Sequence, residues 1–146
     1  MGKIFEDEFM EIQADLISLC LDAVENQVDK IYAYASIEKK TTMFDVFFEV
    51  DKHVLTRNEI GMDQDIQLDV LGTGIEELEK MREVCAKYKQ KTPTEMKMYY
   101  DVNTGAYTAN YQYHEICSHK TGVLPDHVFD TWYEEVKKEI ETNKLK

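Results

Sequence analysis

The sequence predicts an α+β domain: a mostly antiparallel sheet of four to five strands with helices packed on one face, in the order α-β-β-(β)-α-β-β-α. Three observations carry this. Apolar residues recur at helical period in the opening, middle and closing stretches. Between them, two pairs of segments alternate at period two. A short polar or glycine-bearing link joins each pair, which makes its strands antiparallel neighbours.

The elements follow in order. Phe5, Phe9, Ile12, Leu16, Leu19 and Ala23 form one apolar stripe at spacings 4-3-4-3-4, the signature of an amphipathic helix. Glu8, Glu11, Asp15 and Asp22 lie off that stripe, and Asn26 is a stop signal. Ile31, Ala33, Ala35 and Ile37 then share one strand face, as do Phe44, Val46, Phe48 and Val50. The polar residues 38–42 between them read as the turn of a hairpin with one buried face. The stretch from His53 to Ile60 leaves room for a third short strand.

Helical spacing returns from Asp65 to Gln90, with a stripe of Leu71, Ile75, Leu78, Met81 or Cys85, and Tyr88. Gly72 and Gly74 interrupt it, each costing about 1 kcal/mol relative to alanine inside a helix. The helix is therefore expected to start near Thr73, where Thr73 and Glu76 fit a capping box. In the second hairpin Met96, Met98 and Tyr100 alternate with Glu95, Lys97, Tyr99 and Asp101. Asn103-Thr104-Gly105 supplies the turn, and Tyr107, Ala109, Tyr111 and Tyr113 alternate on the return. Tyr99 and Tyr100 point to opposite faces, so they are not expected both to be core. Pro125 opens the last helix, where its missing N–H costs nothing. Val128, Trp132, Val136 and Ile140 line one face of it. Lys137, Lys138, Lys144 and Lys146 lie near its C-terminus, complementing the helix dipole.

Composition narrows the function. The chain has 146 residues, 43% of them hydrophobic, which suits one domain over 1–146 with a single core. It carries 29 acids against 17 bases, a net charge of −12. That opposes contact with nucleic-acid phosphates and with anionic membrane faces. No apolar run approaches the roughly 20 residues of a membrane-spanning helix. The opening residues turn acidic without a signal-peptide core, and three cysteines give no disulfide framework, so reduced thiols in a cytoplasm are expected.

The charge is uneven. Residues 1–29 hold eight acids and one base, and residues 58–79 hold seven acids and no base, so each block is −7 and the remainder +2. An acidic helix face is ordinarily just solvated. Two concentrated blocks are also what docking a basic protein requires. The candidate partner-binding residues are Glu8, Glu11, Asp15 and Asp22 in the first block. In the second they are Asp63, Asp65, Asp69, Glu76 and Glu77.

Other constellations carry less. His114, Cys117 and His119 are zinc-ligand types, but their spacing matches no common zinc motif and a fourth ligand is not apparent. Cys117 beside a histidine has no nucleophile signature, and Cys20 and Cys85 fall on or beside the apolar helix stripes. Asp63, Asp65 and Asp69 lack the glycine and glutamate spacing of a calcium loop. Tyr99, Tyr100, Tyr107, Tyr111 and Tyr113 concentrate in one hairpin. They read either as cross-strand packing or as a tyrosine-rich sheet face for a partner.

Five stretches together resemble a family. They are the acidic opening helix leading into Ile31-Tyr32-Ala33-Tyr34-Ala35, the strand Phe44-Asp45-Val46-Phe47-Phe48, and Ile75-Glu76-Glu77-Leu78-Glu79-Lys80-Met81-Arg82. The others are the hairpin from Tyr99 through Asn103-Thr104-Gly105 to Tyr113, and Gly122-Val123-Leu124-Pro125. In this order the chain resembles the YezG-like immunity proteins, antitoxins of bacterial polymorphic, LXG-type toxins. It departs from them in having Thr94 after Pro93, where the family often has tryptophan, and in the Gly72-Thr73-Gly74 interruption. The resemblance implies a cytoplasmic, stoichiometric inhibitor of a cognate toxin domain, often a nuclease, with neither enzyme activity nor a cofactor. The competing expectations are an adaptor using the tyrosine-rich face and a small metal- or thiol-dependent enzyme at His114, Cys117 or His119.

Overall fold

The computed structural model describes residues 4–118 and 120–143. The elements run α1 (Phe5–Ala23), β1 (Lys30–Glu38), β2 (Thr41–Val50), β3 (His53–Thr56), α2 (Gln64–Lys87), β4 (Glu95–Asp101), β5 (Tyr107–Gln112) and α3 (Pro125–Asn143). The strands form one sheet in the order β3-β2-β1-β4-β5, with every neighbouring pair antiparallel. The two hairpins are therefore joined through β1 and β4, and β1 lies at the centre of the sheet.

The α+β class and element order are as the sequence predicts. The helices, however, do not share one face. α1 and α2 pack side by side on one face, over Ile31, Ala33, Ala35 and Ile37 of β1 and Phe44, Val46 and Phe48 of β2. α3 covers the other face, where Phe129, Trp132 and Tyr133 close over Tyr32, Tyr34, Phe47 and Val54. Hence β1 is buried on both sides from Ile31 to Glu38. The reason lies in three aromatic residues at positions that alternation assigns to solvent. Tyr32, Tyr34 and Phe47 form a second apolar face, and Trp132 meets Phe47 at 4.9 Å between ring centres, edge to face. Because both faces are covered, Tyr99 and Tyr100 each pack against a core, both half-buried, which corrects the expectation that only one of them would.

α2 corrects a second expectation. It is one helix from Gln64, running through Gly72 and Gly74, and Thr73 does not cap it. The Thr73 hydroxyl donates instead to Asp69 Oδ1 at 3.4 Å. Gly74 is required by a close approach. A Cβ there would lie 2.3 Å from Phe44 Cδ2, far inside van der Waals contact. The buried residues are Val70, Gly74, Glu77, Leu78, Met81 and Cys85, so the face is turned from the predicted stripe and Ile75 lies at its edge. A glycine that seats a helix against a sheet is invisible to a count of apolar side chains.

The turns are tighter than expected at one end. β1 and β2 are linked by Lys39 and Lys40 alone. Glu25 and Asn26 both take positive φ, at 53° and 59°, and end α1 as the sequence indicates. Gly105 has φ +79° in the second hairpin turn, a conformation that costs glycine nothing.

Candidate protein-binding surface

α1 and α2 are antiparallel neighbours. At one end Glu8 of α1 accepts from Lys87 Nζ, 3.2 Å away, and from the Tyr88 hydroxyl. Phe5 meets the Tyr88 ring edge-on at 5.8 Å between centres. Midway along, Lys80 of α2 has its pKa raised by its hydrogen bond and charge interaction with Glu77, then by the nearby charges of Asp15 and Glu76. Asp15 of α1 and Glu76 of α2 thus face the same cation. With equal rise along both helices, Asp22 lies level with about Thr73. Asp69, Asp65 and Asp63 continue the line toward the start of α2.

The fold therefore brings most of the two acidic blocks onto one helical layer, while Glu59 accepts from Tyr133 on the opposite face and Asp29 accepts from Asp51 N–H and Asn103 beyond α1. α1 carries six acids and no base, and α2 carries six acids against Lys80, Arg82 and Lys87, a net charge of −9 on the pair. Glu11, Asp15, Asp22, Asp63, Asp65, Asp69 and Glu76 are exposed. Glu8 and Glu77 are not part of the open surface. Glu8 ties the two helices together, as above. Glu77 is 8% exposed and bonded to Lys80 Nζ at 2.8 Å. α3, on the opposite face, carries six acids against Lys137 and Lys138.

The sheet side of this layer is fixed by a buried amide. Gln13 is fully buried, and its Oε1 accepts from the hydroxyls of Tyr107 and of Tyr111, the latter at 2.9 Å. Tyr107 and Tyr111 thereby turn toward α1 and pack on its core, as does Tyr100. Tyr99 lies on the opposite face and Tyr113 is exposed.

The structure also holds a feature the sequence reading missed. A cleft of about 740 Å³ opens between α3 and the β4–β5 end of the sheet, lined among others by Lys30, Lys97, Tyr99, Asn110, Trp132 and Glu139. α3 covers the β1–β3 side of its face and leaves this end open. Two buried carboxylates lie on this face of the sheet, and Glu95 and Tyr32 line the cleft itself. Glu49 accepts from Tyr32 and Glu95 from Tyr34, each at 3.2 Å. Burial, and then the adjacent carboxylates, push both phenols well above their ordinary range. The unequal spread of α3 over the sheet is a tertiary property with no local sequence signal.

The metal and thiol candidates are placed apart in character. His114 is exposed and its carbonyl accepts from Thr94 Oγ1 at 2.6 Å. Cys117 is buried, and its backbone N–H, with that of Ile116, donates to Glu38 Oε2. Burial, with Glu38, Glu95 and Asp126 nearby, pushes the Cys117 thiol up to about 11. His119 lies outside the described residues, as do Lys144 and Lys146. Among the described residues, no group of three or more His, Cys, Asp or Glu side chains is arranged to hold a metal ion. None of the described helices is long and apolar enough to cross a membrane. No protein-family model matches the chain, and no curated protein matches it.

Proposed function

We propose that the chain is an immunity protein that binds a basic bacterial toxin domain of nuclease type and blocks its active or substrate-binding surface. The observation that carries this reading is the meeting of two sequence-distant acidic blocks on the α1–α2 layer, with a net charge of −9. A nuclease presents basic side chains to phosphates, and an acidic surface competes for the same groups. The resemblance to YezG-like immunity proteins supplies the class of partner and the cytoplasm of the producing cell as the place of action. In this reading the chain inhibits stoichiometrically and turns over no substrate.

Long-range attraction then sets the association rate. Steered encounters run faster than unsteered ones by about 10- to 1,000-fold, an advantage that falls steeply with ionic strength. The binding residues are the exposed Glu11, Asp15, Asp22, Asp63, Asp65, Asp69 and Glu76. The test is neutralisation of the toxin domain encoded beside this gene, by the wild type and by the triple variant Asp15→Lys, Asp22→Lys, Glu76→Lys. One-to-one neutralisation by the wild type, lost in a folded triple variant, is the expected result. Full neutralisation by that variant removes the acidic layer from the interface, and no neutralisation by either protein removes the toxin partner.

A further inference from the structure

We infer that β5 is a self-association edge, at which two copies of this chain pair antiparallel about a two-fold axis through Ala109. The sheet has two outer strands, β3 and β5, and the fold treats them differently. The β3 edge is closed by side chains. Val54 N–H donates to Glu141 Oε2 at 3.0 Å, Thr56 N–H donates to Glu59 Oε1 at 2.9 Å, and the Val54 carbonyl accepts from the Tyr133 hydroxyl at 3.5 Å. Closing an edge in this way prevents pairing with another chain.

Among the described residues, no such closure protects β5. Asp101 N–H donates to the Ala106 carbonyl at 2.9 Å, and the register pairs Tyr100 with Tyr107 without a break to Gln112. By the alternation of an antiparallel ladder, Thr108, Asn110 and Gln112 bond to β4. Tyr107, Ala109 and Tyr111 turn their N–H and C=O groups outward, and no group among the described residues bonds to them. The strand contains no charge and no proline in a chain that is 32% charged. Among the described residues, the charge, the proline and the capping side chains that blunt an edge are therefore absent.

The outward residues also read the same in both directions, Tyr-Ala-Tyr. A two-fold axis at Ala109 sets Ala109 against the partner's Ala109 and Tyr107 against the partner's Tyr111. Each outward N–H then meets an outward carbonyl. The smallest side chain lies at the axis. Both flanking tyrosines are held by one anchor, Gln13, so their rings are ordered before pairing. On the other side Thr108 faces the partner's Asn110, and neither carries a charge. Beside the edge, Met10 is 43% exposed and its sulfur lies 3.6 Å from Gln13 Nε2, adding apolar surface. One strand pair covers less than the standard interface of about 1,600 Å², so the dimer is weak and concentration-dependent. Each copy carries −12, so added salt strengthens it.

Sedimentation equilibrium of the full chain, up to sub-millimolar concentration at low and high salt, tests this. The wild type is expected to move from monomer toward dimer with concentration, more so at high salt. Ala109→Pro removes an outward N–H and no β4 bond, and Thr108→Lys puts like charges beside the axis. Each is expected to weaken the dimer by at least about tenfold, with an unchanged circular dichroism spectrum. Should Ala109→Pro fail to fold, the exposed Thr108→Lys decides alone. A wild type that stays monomeric throughout, or a dimer that folded variants leave unweakened, overturns the proposal.

Discussion

Two glycines two residues apart in α2, Gly72 and Gly74, should respond to alanine with opposite signs. At Gly74 a new Cβ would meet Phe44 Cδ2 at 2.3 Å, Cγ at 2.6 Å and Cβ at 3.0 Å. Phe44 is 2% exposed and sits inside the core, so its ring cannot swing into solvent. Relief requires moving the helix or the ring by more than about 1 Å, and overpacking of this kind costs about 1–3 kcal/mol. The better helix propensity of alanine returns about 1 kcal/mol. With contacts this short the upper part of the range applies, leaving a net loss of about 1–2 kcal/mol. At Gly72 nothing lies within 4 Å, so the propensity gain of about 0.5–1 kcal/mol stands alone. For a chain of this length, Gly74→Ala should lower Tm by about 3–8 °C and Gly72→Ala raise it by about 2–4 °C. Thermal melts followed by circular dichroism, with urea midpoints as a second measure, are sufficient. A Gly74→Ala variant as stable as the wild type would refute the seating of α2 on Phe44, and with it the placement of the acidic layer.

Further outcomes follow from named contacts. Gln13→Leu leaves the Tyr107 and Tyr111 hydroxyls without their acceptor and should cost about 2–3 kcal/mol in urea unfolding; a neutral effect would mean those hydroxyls are satisfied elsewhere. Tyr32, Tyr34 and Tyr107 have phenol pKa values raised by burial first. An unfolded chain therefore releases these protons from about pH 10 while the folded chain retains them, and stability falls as pH rises through that range. Tyrosinate absorbance should show these three ionising only as the fold is lost, and free titration of all nine tyrosines before unfolding would contradict their burial. Burial likewise raises Cys20, Cys85 and Cys117 above the ordinary thiol range. All three should alkylate slowly at neutral pH until denaturant is added, and rapid native labelling of Cys117 would reopen a nucleophile role.

The parts legible in the sequence are those written in local periodicity. The α1 stripe from Phe5 to Ala23, the paired strands and the Gly105 turn all have the spacing that their backbones require. Two features were hidden because they depend on what lies opposite. Tyr32, Tyr34 and Phe47 occupy positions that a one-sided sheet gives to solvent, and only the arrival of α3 with Trp132 makes them core. Gly74 reads as a helix breaker until Phe44 is seen against it. The candidate surface was legible in part. The acids were countable, but Glu8 and Glu77 look no different in sequence from Asp15 or Glu76, and only packing draws them into ion pairs with Lys87 and Lys80. The adjacency of the two blocks follows from the antiparallel α1–α2 pair, which no local pattern specifies.

The most direct test of the acidic layer as an interface is the association rate with the purified cognate toxin domain, measured by stopped flow from low to physiological salt. A rate that falls by at least about tenfold over that range, with a slower and flatter profile for the Asp15→Lys, Asp22→Lys, Glu76→Lys variant, is the predicted result. A wild-type rate that does not change with salt would contradict it.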